Sequence, residues 1–357
     1  MAPRQQIRFC TTADGARIAY ATTGEGPPLV KVSNWLSHLE FDWGSPVWRH
    51  WLAELSRGHK LVRYDERGCG LSDWHPPELS FEGWVRDLET VVDAAGVERF
   101  PLLGCSQGAS IAITYAVRHP ERVSHLILHG AYARGRLKRE LTPQQRKEAE
   151  TMAGLAELGW GKENAAFRQF FTTQFIPGGT AEEHDWFNEL QRVSASPENA
   201  SRFMRIFDEI DVTELAPRVS CPTLVLHPDG DARVPFEEGR LIASLIPEAR
   251  FVPLDSRNHI LLEHEPAWKR WLEEVRGFLP AAAGTTAGPF GSLTAREGDL
   301  VELIAHGLDN SQIAARLTLS EKTVRNHITR IFDKLGVENR SQAIVRARDA
   351  GFGKQPL

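Results

Sequence analysis

A chain of 357 residues exceeds what one hydrophobic core usually organises, so two domains or more are expected. Its 25% charged and 41% hydrophobic residues, with no uninterrupted apolar run of the about twenty residues needed to cross a bilayer, argue against a membrane protein. The net charge of −5 argues against a protein that coats nucleic acid over its whole surface, so any basic face has to be local.

The chain starts Met1-Ala2-Pro3-Arg4-Gln5-Gln6 and passes into a strand-like Ile7-Arg8-Phe9-Cys10, without the apolar stretch and cleavage site of an export signal. Cys10, Cys69, Cys105 and Cys221 lie far apart with no paired metal spacing, which fits reduced thiols in a cytoplasmic protein and calls for no metal or cofactor. Short apolar runs follow: Pro28 to Val32, Lys60 to Tyr64, Phe100 to Cys105, His125 to His129, Thr223 to His227 and Arg250 to Leu254 read as buried strands. The amphipathic stretches Phe81 to Ala95 and Gln107 to Arg118 fall between them as helices, which predicts a mostly parallel sheet covered on both faces. The interval between His129 and Thr223 is too long for a structureless loop in a compact domain. It carries Trp160, Phe167, Phe170, Phe171, Trp186, Phe187, Phe203 and Phe207 among charged residues, which predicts a helical cap over about 131–215.

Between the strand Pro101-Leu102-Leu103 and the helical Ser110 to Tyr115 stands Gly104-Cys105-Ser106-Gln107-Gly108. Gly-x-Ser-x-Gly in a strand-turn-helix context forms a nucleophile elbow, in which a strained serine needs glycines two residues to either side for the tight crossing. A serine hydroxyl becomes a useful nucleophile when a histidine takes its proton and an acid holds that histidine, so an acid and then a histidine should follow. His259 closes Leu254-Asp255-Ser256-Arg257-Asn258-His259, and Asp229, Asp231 and Asp255 are the available acids, each of which could instead cap a turn or strand end. Cys105 is a poor substitute nucleophile, since its side chain is expected to face the sheet packing. Trp35, Trp43 and Trp48 read first as core or cap-contact aromatics, and together with the cap's rings they make an apolar pocket.

These features, with Tyr64-Asp65-Glu66-Arg67-Gly68-Cys69-Gly70-Leu71-Ser72, resemble the α/β-hydrolase fold over about residues 7–279, within a domain of 1–279. The resemblance implies Ser106 as nucleophile, Asp231 as acid by its offset before Val234-Pro235, His259 as base, and the backbone N–H groups of Gln107 and Trp35 as the oxyanion hole. A serine at the elbow, where haloalkane dehalogenases and epoxide hydrolases carry aspartate, implies acyl transfer to water. The chain departs from many members at Ser33-Asn34-Trp35, where His-Gly is common; a displaced donor there would cost about 3 kcal/mol of transition-state stabilisation.

Residues 280–292, Pro-Ala-Ala-Ala-Gly-Thr-Thr-Ala-Gly-Pro-Phe-Gly-Ser, read as a flexible linker to a second domain at 293–357. There, Thr294-Ala295-Arg296-Glu297 is a capping box that starts a helix, and Gly307 ends it. Asp309 to Leu317 reads as a shorter helix with Ile313, Ala314 and Leu317 inward, followed by the turn Thr318-Leu319. Ser320 caps a third helix whose Val324, Ile328, Ile331 and Leu335 form one buried stripe, and Gly336 stops it. Its other face carries Lys322, Arg325, Asn326, Thr329 and Asp333, side chains able to reach base edges in a major groove, while Lys322, Thr323 and Arg330 suit phosphates. His327 flanks the buried stripe and is as well placed to orient the helix or touch a phosphate as to read a base.

Three amphipathic helices alone would describe any small helical domain with a solvated face. The ordered set Leu293-Thr294-x-Arg296-Glu297, Asn310-x-x-Ile313-Ala314, Ser320-x-Lys322-Thr323-Val324-x-x-His327 and Lys334-Leu335-Gly336-Val337 through Arg340 resembles the LuxR-type helix-turn-helix. That resemblance implies promoter DNA as partner, a fourth helix at about Ser341 to Ala350 that pairs two copies into a homodimer, and contact with RNA polymerase at the promoter. Joined, the two parts predict a regulator whose hydrolase-like domain senses a small apolar ester, lactone or related carbonyl compound, and could hydrolyse it slowly. The alternative is an active serine esterase that carries a DNA-binding tail; a third and weaker reading is a protein-interaction platform with a vestigial pocket.

Overall fold

The computed structural model describes residues 5–162, 165–279, 293, 295–317, 319–337, 339–350 and 352–353. The expected linker at 280–292, Thr294 of the expected capping box and Thr318 of the expected turn lie outside the described residues. The chain divides into two compact units, Met1–Pro280 and Ala281–Leu357.

The first unit is built on one eight-stranded sheet. Its strands are β1 (Gln6–Thr11), β2 (Arg17–Thr23), β3 (Pro28–Lys31), β4 (Lys60–Tyr64), β5 (Phe100–Cys105), β6 (Val123–His129), β7 (Thr223–Pro228) and β8 (Arg250–Leu254), in the order β1-β2-β4-β3-β5-β6-β7-β8. β1 and β2 pair antiparallel with each other, and β2 antiparallel with β4; every pairing from β4 to β8 is parallel. All six residues of β5 and of β7 are buried, which explains why they read as unbroken apolar runs: a strand covered on both faces has no solvent side to alternate with. β2 has no such signature, because Thr22 and Thr23 interrupt the run although most of the strand is buried.

Helices α1 (Arg49–Leu55), α2 (Phe81–Ala94), α3 (Gln107–Arg118), α8 (Phe236–Leu245) and α9 (Pro266–Phe278) connect or flank the strands. The interval between β6 and β7 holds four more: α4 (Pro143–Gly159), α5 (Ala165–Phe175), α6 (Ala181–Ser194) and α7 (Pro197–Glu209). Side-chain oxygens of Thr142, Thr180 and Ser196 satisfy first-turn N–H groups of α4, α6 and α7, the first two as full capping boxes. Their apolar faces meet the end of the sheet through rings. Trp35, on the loop after β3, stacks on Trp160 at 4.7 Å and meets Phe175, Phe203 and Phe207 edge-on or tilted.

The turn after β4 shows why its glycines are there. The Asp65 carboxylate accepts from the Leu39 and Leu71 N–H groups and the Ser37 hydroxyl, and a Cβ on Gly70 would sit 2.2 Å from Asp65 Oδ2. Arg67, fully buried, pairs with Asp87 at 2.8 Å and Asp14 at 2.6 Å, which compensates the burial of its charge.

Among the described residues the second unit has the helices α10 (Ala295–Ala305), α11 (Asn310–Leu317), α12 (Glu321–Leu335) and α13 (Arg340–Asp349). Leu300, Val301 and Ile304 of α10, Ile313 of α11, Val324, Ile328, Ile331 and Leu335 of α12, and Ala343 and Ala347 of α13 form its core. Asp309 and Gln312 exchange side-chain-to-backbone bonds of 2.8 and 2.9 Å at the start of α11. Gly336 closes α12 at φ 60°, a conformation favourable to glycine.

Candidate functional site

Ser106 sits between β5 and α3 with φ 53° and ψ −128°, a positive-φ conformation that L residues avoid. The crossing is held by close backbone approach on both flanks. A Cβ on Gly104 would lie 2.6 Å from Ala109 Cα, and one on Gly108 would lie 2.6 Å from the Ser33 carbonyl oxygen. The Ser106 N–H donates to the His129 carbonyl at 2.9 Å, tying the elbow to the neighbouring strand.

Asp231 and His259 arrive from the ends of β7 and β8. Asp231 Oδ1 accepts the N–H groups of Arg233 and Val234 at 2.8 and 2.9 Å, and its Oδ2 stands 2.7 Å from His259 Nδ1. Both side chains are buried. Burial opposes the Asp231 charge, but the His259 and His227 imidazoles, the His259 bond and the Val234 N–H outweigh it and hold the carboxyl below its usual value. The rivals Asp229 and Asp255 are exposed and make no contact of this kind. Ser106 and His259 border one small inner cavity, with Asn34, Trp48, Trp51, Cys105 and Phe175 among its walls.

The segment carrying His259 is fixed from several directions. Its N–H donates to the Phe175 carbonyl of α5 at 2.8 Å, and its own carbonyl accepts from His129 Nε2 at 3.0 Å. Burial pushes His129 down to about 3 and His50 down to about 4, so at neutral pH both are uncharged rings whose Nε2–H groups serve carbonyls, that of Leu261 in the case of His50. Asn258 Oδ1 accepts from the Gly178 N–H at 2.7 Å, a second tether between this segment and the one after α5.

Trp35 and Gln107 border an outer cavity together with Ser106. Gln107 opens α3, where a backbone N–H has no intrahelical acceptor. The indole of Trp35 belongs to the aromatic cluster with Trp160, α5 and α7. In the Ser33-Asn34-Trp35 segment, Asn34 accepts from the buried Lys31 ammonium, which also lies 5.1 Å over the Trp48 ring. Cys105 lies in the buried core and also borders the inner cavity, and burial pushes its thiol up to about 11, which disarms it as a nucleophile.

The outer cavity also contains residues that motif reasoning missed: Arg136, Arg139 and Arg233, with Asp208 and Tyr132. A signal was present, since four of the six positions 134–139 are basic, directly after β6.

A family model described as "alpha/beta hydrolase fold" matches residues 38–266. The chain belongs to the α/β-hydrolase fold family. A second model, "Bacterial regulatory proteins, luxR family", matches residues 291–347, so this α/β hydrolase is fused to a LuxR-type helix-turn-helix. The hydrolase part is 27% identical over 268 residues to a pyrrolizixenacetamide deacetylase of Xenorhabdus hominickii, covering 74% of this chain and 95% of that protein. It is also similar to an esterase structure from Rhodococcus sp. ECU1013, at 27% identity and TM-score 0.61 over 78% of this chain and 99% of that one. A hydrolase from Pseudomonas aeruginosa PA01 shares the fold, with TM-score 0.64 at 24% identity over 77% of this chain and 99% of that one.

In the LuxR-type unit, Ser320 Oγ accepts the Thr323 N–H at 3.1 Å and bonds the Thr323 hydroxyl at 2.8 Å. Lys322, Arg325, Asn326, Thr329, Arg330 and Asp333 are exposed along α12; Thr323 and His327 are half-buried. Among the described residues, Lys322, Arg325 and Arg330 form no ion pair within 4 Å. The Thr329 hydroxyl bonds the Arg325 carbonyl at 3.1 Å, so it turns along the helix. Arg340, whose role the motif does not reveal, donates to Asn310 Oδ1 at 2.9 Å and to the Leu308 carbonyl, pinning the turn between α10 and α11.

Proposed function

We propose that this protein is a DNA-binding transcription regulator whose α/β-hydrolase unit binds a small ester, lactone or related carbonyl compound at Ser106. One observation carries the reading: a buried Asp231–His259 pair whose histidine borders the same cavity as Ser106, and an exposed cationic helix face, occur in one chain. Lys322, Thr323 and Arg330 serve phosphates, and Arg325, Asn326 and Thr329 read base edges; α12 supplies all six. Two copies bind a two-fold operator through α13, on which Val345 is exposed. The regulator works with chromosomal DNA in the cytoplasm, where it meets RNA polymerase.

At the ligand site, His259 accepts the Ser106 proton as the Oγ–carbon bond forms, Asp231 stabilises the imidazolium, and the Gln107 and Trp35 N–H groups take the developing oxyanion. The bond to the leaving alcohol breaks as His259 returns the proton, and water repeats the cycle to release the acid. A ligand regulates DNA binding only by occupying two conformations unequally. The Phe175–His259 and Gly178–Asn258 tethers support such a link, since they join the helical segment to the histidine.

The second reading, a working esterase with a DNA-binding tail, is favoured by the 2.7 Å Asp231–His259 pair and by relatives named as hydrolases. A thermal-shift screen of small esters and lactones on the full chain, followed by operator titration with the stabilising compounds, separates the two. The regulator reading expects such a compound to change operator affinity by about fivefold or more. Compounds that stabilise the chain, are turned over and leave operator affinity unchanged contradict it. A strictly monomeric complex on a single half-site at all protein concentrations contradicts the dimer.

A further inference from the structure

The outer cavity is not the neutral surface that a simple alkyl ester needs. Three guanidinium groups, Arg136, Arg139 and Arg233, border it, and a single carboxylate, Asp208, faces them there. Their neutralisation is incomplete. Arg136 stands 3.7 Å from Asp208. Arg139 stands 3.6 Å from Glu238, which is already engaged by Arg134 at 2.9 Å. Among the described residues Arg233 has no ion pair within 4 Å; its partners are the Gln174 side-chain oxygen at 2.9 Å and the Phe175 ring at 5.4 Å. The same three arginines border an adjoining cleft of about 760 Å³, so an anion can reach them from solvent.

A partly buried cation without a carboxylate in contact is unfavourable, and Arg233 shares its cavity with two further guanidinium groups whose carboxylates stand 3.6 Å or more away. Burial and the nearby Arg136 charge push the Arg233 guanidinium down to about 10, against the opposing pull of Asp208 and Asp231. Past Ser106, the inner cavity is small and walled by Trp35, Trp48, Trp51 and Phe175. The serine thus divides a cationic compartment from an apolar one. Planar guanidinium forks match carboxylate oxygens in pairs, so this arrangement selects both charge and geometry.

We propose that the Ser106 ligand carries a carboxylate held by Arg136, Arg139 and Arg233, with a small apolar group seated against the tryptophans on the other side of its carbonyl. The proposal rests on the reading of the Ser106 cavities as the ligand site. Arg233 is two residues from Asp231, and Gln174 adjoins Phe175, whose carbonyl holds His259. A bound carboxylate therefore touches the same segments that hold the histidine and its acid.

The test uses the full chain with Ser106→Ala, so that binding is measured without turnover, and calorimetric titration with monomethyl succinate, glutarate and adipate, each beside its neutral dimethyl ester. At least one half-ester should bind about tenfold more tightly than its dimethyl counterpart. The difference should shrink as NaCl rises from about 0.05 M to about 0.5 M, and should disappear when Arg233→Met is added. Should that variant fail to fold, Arg139→Gln and the salt series supply the same comparison. Dimethyl esters that bind as tightly overturn the carboxylate while leaving the ligand site in place. Tighter binding of methyl 4-phosphonobutanoate than of monomethyl glutarate reassigns the anion and overturns the carboxylate as well. Binding by none of these compounds contradicts the reading of the cavities as a site for small carbonyl ligands.

Discussion

The two units hold their chemistry in opposite ways. In the hydrolase unit the interior polar groups are paired with one another: Asp231 with His259, His129 with the His259 carbonyl, Arg67 with Asp87. On α12 the cationic groups Lys322, Arg325 and Arg330 are exposed and form no ion pair among the described residues. A group that reacts inside the protein needs its geometry fixed in advance, whereas one that meets an outside polyanion is best left solvated until it arrives. Arg233 belongs to neither class, being drawn inward yet lacking an ion pair among the described residues, and that mixture is what singles out the outer cavity.

The largest effect expected from this contrast is catalytic. His259→Ala should lower the hydrolysis of small activated esters by about 10⁴-fold, with operator binding in the absence of ligand unchanged. Turnover within a few-fold of the unmodified protein would show that the paired groups are only structural. On the exposed side, Arg325→Ala and Asn326→Ala should each weaken specific DNA binding by about 1–3 kcal/mol with little change in thermal stability. Equal losses on specific and scrambled DNA would mean that they touch only phosphate. Arg340→Ala sharpens the contrast within one unit, because its bonds are internal: it should lower the unit's stability by about 1–2 kcal/mol. A loss of affinity at unchanged melting temperature would place Arg340 at the DNA instead.

A smaller effect follows from the neutral histidines. The unfolded chain protonates His129 near pH 6.5, while the folded protein resists until about 3, so below 6.5 the unfolded state gains protons first and stability falls with falling pH. Between about pH 7 and about pH 5 the unmodified protein should lose about 1–2 kcal/mol more stability than His129→Asn. The buried carboxyls Asp42 and Glu66 titrate alike in both proteins and cancel in the difference. Parallel losses would mean that His129 is protonated in the folded state.

Much of the fold is legible in the sequence wherever the determinant is local. The α12 stripe, its Ser320 cap and the Ser106 elbow each occupy one short window, and β5 and β7 announce themselves because burial on both faces leaves unbroken apolar runs. The acid is less legible. Asp229, Asp231 and Asp255 share turn-like surroundings in sequence, and only the parallel pairing of β7 with β8, which sets their following loops side by side, brings Asp231 to His259. Strand β2 is hidden by its threonines, and the role of Arg340 by the distance to Leu308. The arginine cluster is least legible of all, because Arg136 and Arg139 follow β6, Arg233 follows β7, and nothing in either window reveals that they share one cavity.

The central claim is that ligand binding at the hydrolase unit, rather than the reaction there, is what the DNA-binding unit reports. Ser106→Ala tests it directly, because one hydroxyl is a small part of the cavity lining. The measurement is paired in one variant: p-nitrophenyl ester turnover, and ligand-dependent output from the operator. The account predicts that turnover is lost while the ligand response survives; loss of both together would contradict it.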